Sequence, residues 1–140
     1  MEPVCNTSNH LVKSEDLNHH GTLYAGRSAE WFVEAGFIAA ARIKPPDSIV
    51  CLKIHGMTFS RPVHCGEIIT YNSKIIYAGT TSMVAFIDVW ANQELVVKGF
   101  ITFIHVDENS KPIPHGIVIE PSTEEDRKLQ ETAIALTRKK

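Results

Sequence analysis

Three cysteines in 140 residues (Cys5, Cys51 and Cys65) are too few and of the wrong parity for a disulfide framework, and none stands in a C-x-x-C pair. That argues against a disulfide-stapled secreted scaffold and against the common zinc ribbons, and makes a reducing cytoplasm the expected compartment. A surplus of positive charge is lacking too. Fourteen Lys and Arg face sixteen Asp and Glu, a formal charge of -2, so no basic surface is expected to neutralise nucleic-acid phosphates. No window approaches ~18 uninterrupted apolar residues, and the opening MEPVCNTSNH holds no apolar run of signal-peptide length. Neither secretion nor a membrane span is expected. Also missing are internal repeats, H-E-x-x-H, G-x-S-x-G, G-x-x-x-x-G-K and G-x-G-x-x-G, which sets aside the common metalloprotease, α/β-hydrolase, P-loop and dinucleotide readings. The seven histidines (positions 10, 19, 20, 55, 64, 105 and 115) show no metal-ligand spacing, and no metal or cofactor is expected.

What is present is an ordinary globular balance, 44% hydrophobic and 21% charged, in a chain of one-domain length. A single domain over 1–140 is expected, with a polar arm over 1–10. Residues 25–42 carry the long helical signal. Ala29, Phe32, Val33, Gly36, Phe37 and Ala40 form one apolar stripe, while Trp31, Ala35, Ile38, Ala39 and Ala41 occupy the other side. A helix apolar nearly all round should be buried. Pro45 and Pro46 end it.

From Ile49 the texture becomes β-branched and period-two, over 49–59, 67–77, 83–90 and 94–106. The short separators favour antiparallel neighbours. Gly56 and Gly99 inside these runs mark bulges or close backbone approach. Ser122 or Thr123 caps an acidic first turn, so a C-terminal helix is predicted over 122–138. The fold class is therefore α+β, a long central helix wrapped by a curved antiparallel sheet, with a C-terminal helix. Open sheet edges and a partly covered apolar helix call for at least a dimer.

Chemistry could gather in three places. The segment from Asp16 through Asn18 and Gly21 to Gly26 leads into the helix, whose first N–H groups suit an oxyanion; equally, Gly21 and Gly26 could serve only the turn. Glu30 and Glu34 share a helix face. Arg27 stands three residues before Glu30, whereas Glu34 has no basic residue at i±3 or i±4 and is the better candidate for a general base. Asp16 is expected to be solvated. The turn Gly79-Thr80-Thr81-Ser82 offers N–H groups and hydroxyls able to hold a phosphate, or it is only a hairpin turn.

Taken in order, four stretches resemble the hotdog-fold acyl-CoA thioesterases of the YciA and brain acyl-CoA hydrolase type. They are Asn18-x-x-Gly21-Thr22-x-Tyr24-Ala25-Gly26; Gly56-Met57-Thr58-Phe59-Ser60-Arg61-Pro62-Val63 followed by Gly66-Glu67; Gly79-Thr80-Thr81-Ser82 with Val89-Trp90; and Phe103-x-x-Val106-Asp107-Glu108-x-x-Lys111-Pro112-x-Pro114. The resemblance implies a homodimer, often built into a trimer of dimers, that hydrolyses acyl-CoA to a carboxylic acid and CoA. It implies that the Gly26 N–H polarises the thioester carbonyl, that Asn18 orients water or carbonyl, and that Thr81 and Ser82 come from the facing subunit. Arg61, Gly79, Thr80 and Ser82 would contact CoA. The family's helix aspartate falls on Val33, and the adjacent Glu34 is the carboxylate expected to stand in for it. A non-catalytic acyl-CoA binder, as sensor or degenerate subunit, is the alternative, and a dehydratase using His19 or His20 with Glu34 is a third.

Overall fold

The computed structural model describes residues 1–138. In chain order the elements are β1 (Asn6–Leu11), α1 (Ala25–Ala41), β2 (Ile49–Ile54), β3 (Thr58–Phe59), β4 (Ile68–Ala78), β5 (Ser82–Ala91), β6 (Glu94–His105) and α2 (Glu124–Arg138). The strands form one antiparallel sheet in the order β1-β4-β5-β6-β2, with β3 also paired to β6.

Alternation along β4 assigns the two faces. Ile69, Tyr71, Ser73 and Ile75 are buried on the side of α1, while Ile68, Thr70, Asn72 and Lys74 point the other way. α1 lies along the first face and buries Ser28, Phe32, Ala35, Gly36, Ala39 and Ala40 against it. Small residues let the helix come close: a Cβ on Gly36 would stand 3.2–3.4 Å from the tips of Ile87, Ile101 and Phe103. The Ser73 hydroxyl donates to the Ala35 carbonyl at 2.6 Å, tying sheet to helix. α2 covers part of the opposite face, where Ala133 packs with Ile76, Val84 and Phe86 and Lys74 pairs with Asp126 at 2.6 Å. Thr123 caps it by accepting the Asp126 N–H. One long helix laid along an antiparallel sheet, with a second helix behind, is the hotdog arrangement.

Three local expectations are corrected. Residues 6–10 of the expected polar arm, with Leu11, form the edge strand β1; polar side chains suit a strand with one face in water, and alternation over six residues is a weak signal. The run over 49–59 breaks in two at Gly56, whose φ of +124° no β-strand accommodates. Finally, α1 is not buried all round within this chain. Ala25, Gly26, Glu30 and Glu34 remain exposed, and the fully buried stripe is rotated from the expected one: Ala35 and Ala39 are buried, while Val33 and Phe37 are only partly buried against the core, Phe37 edge-on to Phe103 of β6. Among the described residues no helix is long and apolar enough to cross a membrane.

Candidate active site

A cleft of about 400 Å³ opens where α1 begins. One wall is the loop before the helix and its first turn, with Asn18, Leu23, Ala25 and Ser28; the other is Phe59 at the end of β3, residues 60–63, and Val96 on β6. Leu23, Phe59, Pro62, Val63 and Val96 make most of the lining apolar, and polar groups enter at Asn18, Ser28, Ser60 and Arg61. Few polar groups in an apolar concavity is the usual composition of a small-molecule site.

The loop is built around two side chains. Asn18 Oδ1 accepts the His20 and Thr22 N–H groups at 2.9 and 3.2 Å, and its Nδ2 donates to Thr22 Oγ1 at 3.2 Å. This Asx turn needs Gly21, at φ +78°, to reverse the chain. Asp16, expected to be solvated, is instead only 3% exposed. Its Oδ2 accepts the Lys13 N–H at 2.9 Å, its Oδ1 lies 3.2 Å from Arg27 Nε, and its carbonyl accepts the Tyr24 N–H. Asp16 therefore anchors the loop to the helix and has no oxygen left over for chemistry. Arg27 also meets Glu30 at 3.5 Å, the pairing expected from their spacing.

The helix start carries no cap. Tyr24 at the N-cap makes no side-chain bond to the first turn, and that turn holds no acidic residue. Its carbonyl takes the Arg27 and Ser28 N–H groups, so the Ala25 and Gly26 N–H groups have no place in the helical ladder; Ala25 lines the cleft, and Gly26, the next residue, lies just outside its lining.

Arg61 lines the cleft, yet most of its donors are engaged. Nη2 donates to Glu67 Oε1 and to the Ala91 carbonyl, both at 2.9 Å, and Nη1 to the Pro62 carbonyl and Glu67 Oε2. Nε, buried, has no hydrogen bond among the described residues and faces Glu94 at 3.6 Å. The Arg61 donors, with the His64 N–H, outweigh burial and hold the Glu67 carboxyl at about 2.

The turn at residues 79–82 lies elsewhere. Its carbonyls are taken: Thr80 by the His115 N–H at 3.2 Å, Thr81 by the His105 N–H at 2.7 Å, and Ser82 by the Gly79 N–H and His115 Nε2, each at 2.9 Å. Ser82 pairs with Ile104 near one end of β6, whereas the cleft touches Val96 near the other, a separation of roughly 25 Å at ~3.3 Å per strand residue. Within one chain the turn and the cleft do not meet. Glu34, too, is outside the cleft lining; it stays exposed on the outward face of α1, one turn beyond Glu30, with no ion pair among the described residues.

Sequence reasoning missed Ser28 and Tyr71. The Ser28 hydroxyl lines the cleft and lies 3.1 Å from the Tyr71 hydroxyl, a fully buried phenol that burial pushes up to about 12. A serine in the first turn of a helix that is mostly apolar was the available signal; its partner, 43 positions on, was not legible.

The fold and an uncapped helix terminus opening on an apolar cleft define the class, a hotdog-fold protein with a small-molecule site. The model of the thioesterase superfamily matches residues 20–98, and the chain belongs to that family. It is 30% identical over 125 residues to the uncharacterized acyl-CoA thioester hydrolase YkhA of Bacillus subtilis, covering 85% of this chain and 72% of that protein. It is 26% identical over 111 residues to the acyl-CoA thioester hydrolase YciA of Escherichia coli K12, covering 73% and 83%. Among solved structures, an apo-hexameric acyl-CoA thioesterase superposes with a TM-score of 0.87 at 28% identity, over 95% of this chain and 88% of the other.

Proposed function

We propose that this protein hydrolyses acyl-CoA thioesters to a carboxylic acid and free CoA, working as a homodimer or a trimer of dimers. The observation that carries the reading is an uncapped helix start, with the Ala25 and Gly26 N–H groups unspent and Ala25 lining an apolar cleft, in a member of the thioesterase superfamily. An acyl chain fits against Leu23, Val63 and Val96, and the thioester carbonyl oxygen then takes the Gly26 N–H, where negative charge develops as water adds. Asn18 holds the loop in the shape that presents this donor. Water attacks the carbonyl carbon and gives a proton to the Glu34 carboxylate; the carbon–sulfur bond breaks, and the CoA thiolate leaves and is protonated.

Two features of the chain favour a shared site. Glu34 faces outward from α1, toward whatever covers that helix, and the hydroxyl-bearing turn is at the far end of the sheet from its own cleft. A second copy supplies Thr81 and Ser82 opposite Gly26 and Glu34. The CoA phosphates take the hydroxyls of Thr80 and Ser82, beside Gly79, whose own N–H is held by the Ser82 carbonyl. Arg61 adds its charge from the cleft wall, and because Glu67 and Glu94 offset that charge and its Nε is buried the turn has the larger share. The three exposed thiols accord with a cytoplasmic setting.

The test is release of CoA, followed chromatographically because Cys5, Cys51 and Cys65 would consume a thiol reagent. Turnover above background over a panel of acyl lengths is expected. Binding of CoA with turnover at background would replace the hydrolase reading with the non-catalytic binder.

A further inference from the structure

The Tyr71 phenol is fully buried, and its O–H must be given to an acceptor. Among the described residues the oxygen in reach is Ser28 Oγ, at 3.1 Å. The reverse direction would leave the buried phenolic proton with no acceptor, so Tyr71 donates and Ser28 accepts. The ring cannot swing away. His10 meets it edge-on at 5.6 Å and Trp31 at 6.2 Å, and His10 and Trp31 are themselves stacked at 4.1 Å.

This arrangement fixes what Ser28 can do. A serine inside a helix ordinarily returns its proton to the carbonyl four residues back, here Tyr24. That carbonyl already takes two N–H groups, from Arg27 and Ser28. With Tyr71 occupying one lone pair of Oγ, the Ser28 proton is unspent, and the hydroxyl lines the cleft among apolar walls. A buried donor in an apolar cleft costs free energy until something accepts from it.

We propose that Ser28 is a specificity residue that selects acyl chains carrying an oxygen close to the thioester, such as 3-hydroxyacyl or 3-oxoacyl groups, and that Tyr71 is the positioning residue that aims it. This rests on the acyl-CoA hydrolase reading above. Ser28 stands in the same first turn of α1 as Ala25, and both line the cleft, so an oxygen that Ser28 contacts belongs to the part of the acyl chain next to a thioester held at the helix start. The thioester oxygen takes the Gly26 N–H, and the oxygen on the third carbon takes the Ser28 proton. An unsubstituted chain leaves that donor unpaired and loses the corresponding transition-state stabilisation.

The experiment measures kcat/KM for two substrates of equal chain length, a 3-hydroxyacyl-CoA and its unsubstituted analogue, on wild type, Ser28→Ala and Tyr71→Phe of matched oligomeric state. Wild type should prefer the oxygenated chain. Ser28→Ala should reduce that preference by about tenfold, the worth of one hydrogen bond in an apolar site. Tyr71→Phe, which keeps the Ser28 hydroxyl but frees it to turn, should reduce the preference by a smaller factor. A wild type without preference, or a Ser28→Ala variant that loses activity equally on both substrates, would overturn the assignment while leaving the hydrolase reading in place. Absence of turnover with any acyl-CoA, by contrast, would overturn the hydrolase reading and this inference with it. Because the readout is a ratio within each variant, a general loss of stability does not mimic the expected result.

Discussion

Arg61 and Glu67 meet as two forks, Nη2 to Oε1 at 2.9 Å and Nη1 to Oε2 at 3.2 Å, behind the wall of the cleft. Two parallel charge-assisted bonds, with the Ala91 and Pro62 carbonyls completing the guanidinium, pin the segment after β3 to the start of β4 and the end of β5. The Glu67 carboxyl is lowered to about 2, first by Arg61 and further by the His64 N–H, against the opposing effect of burial. A carboxyl depressed in the folded state stabilises above its unfolded value, near 4.5, and that contribution drains away as pH falls toward 2. We expect about 2 kcal/mol to be lost over this window. Urea midpoints at pH 7, 4 and 2.5 should fall more steeply for wild type than for Glu67→Gln, and parallel curves would show that the pair contributes nothing.

Removing one partner should cost more than acid does. Arg61→Ala leaves Glu67, 11% exposed at its side chain, without its counter-charge, and we expect about 3 kcal/mol of destabilisation. Arg61→Lys should recover only part, since an ammonium cannot serve both carboxylate oxygens and two carbonyls in one plane. Equal stability of all three proteins by chemical denaturation would contradict this.

Gly99 predicts a different kind of failure. A Cβ there would run into the Gly56 carbonyl oxygen, which is backbone and cannot turn aside, and would approach the Phe32 ring at 3.1 Å. Gly36 also sits in the core, but its neighbours are the flexible tips of Ile87, Ile101 and Phe103. Gly99→Ala should therefore destabilise by roughly 2 kcal/mol and Gly36→Ala by clearly less, judged by thermal midpoints. The reverse order would mean that the strand yields where the helix does not.

The architecture was legible because its signals are long. Seventeen helical residues and three strands of ten to twelve set their periods unmistakably, and the Gly56–Gly99 approach was marked by two glycines in β-branched surroundings. What was hidden depends on partners distant in sequence. Asp16 reads as a loop carboxylate until Arg27 and the Lys13 N–H close over it, and Arg61 reads as a free cation until Glu67 claims its fork. The Ser28–Tyr71 pair joins residues 43 positions apart, which no local pattern could connect. Shape at β1 was missed because an edge strand with polar side chains carries little periodic signal.

The open side of β2 predicts self-association. Among the described residues β2 pairs only with β6, leaving its other edge free, and Val50, Leu52 and Ile54 are 42%, 64% and 45% exposed along it. Free backbone donors beside a row of apolar side chains invite another chain. Sedimentation should show a dimer or larger at low micromolar concentration, and Leu52→Lys should shift it toward the 15.6 kDa monomer. A wild-type monomer would remove the shared site from the mechanism.

The last expectation concerns the base. Three carboxylates lie near the start of α1, and the structure separates them. Asp16 is enclosed, with one oxygen on the Lys13 N–H and the other beside Arg27, so it has no free lone pair directed at a substrate. Glu30 is exposed but is tied to Arg27, which it shares with Asp16. Glu34 has no ion pair among the described residues, sits one turn further along the same outward face, and adjoins Val33, where the resemblance calls for a carboxylate that valine cannot supply. Substitution of Glu34 breaks no side-chain hydrogen bond or ion pair among the described residues, so its effect should be on chemistry alone. We expect Glu34→Gln to lower kcat by ~10²- to 10⁴-fold with KM and thermal midpoint close to wild type, the size of a lost general base. Glu30→Gln should be milder, because its loss frees Arg27 without touching the attacking water. A larger fall for Glu30→Gln, in variants of matched oligomeric state, would move the base one turn toward the cleft and make Arg27 part of the reacting site.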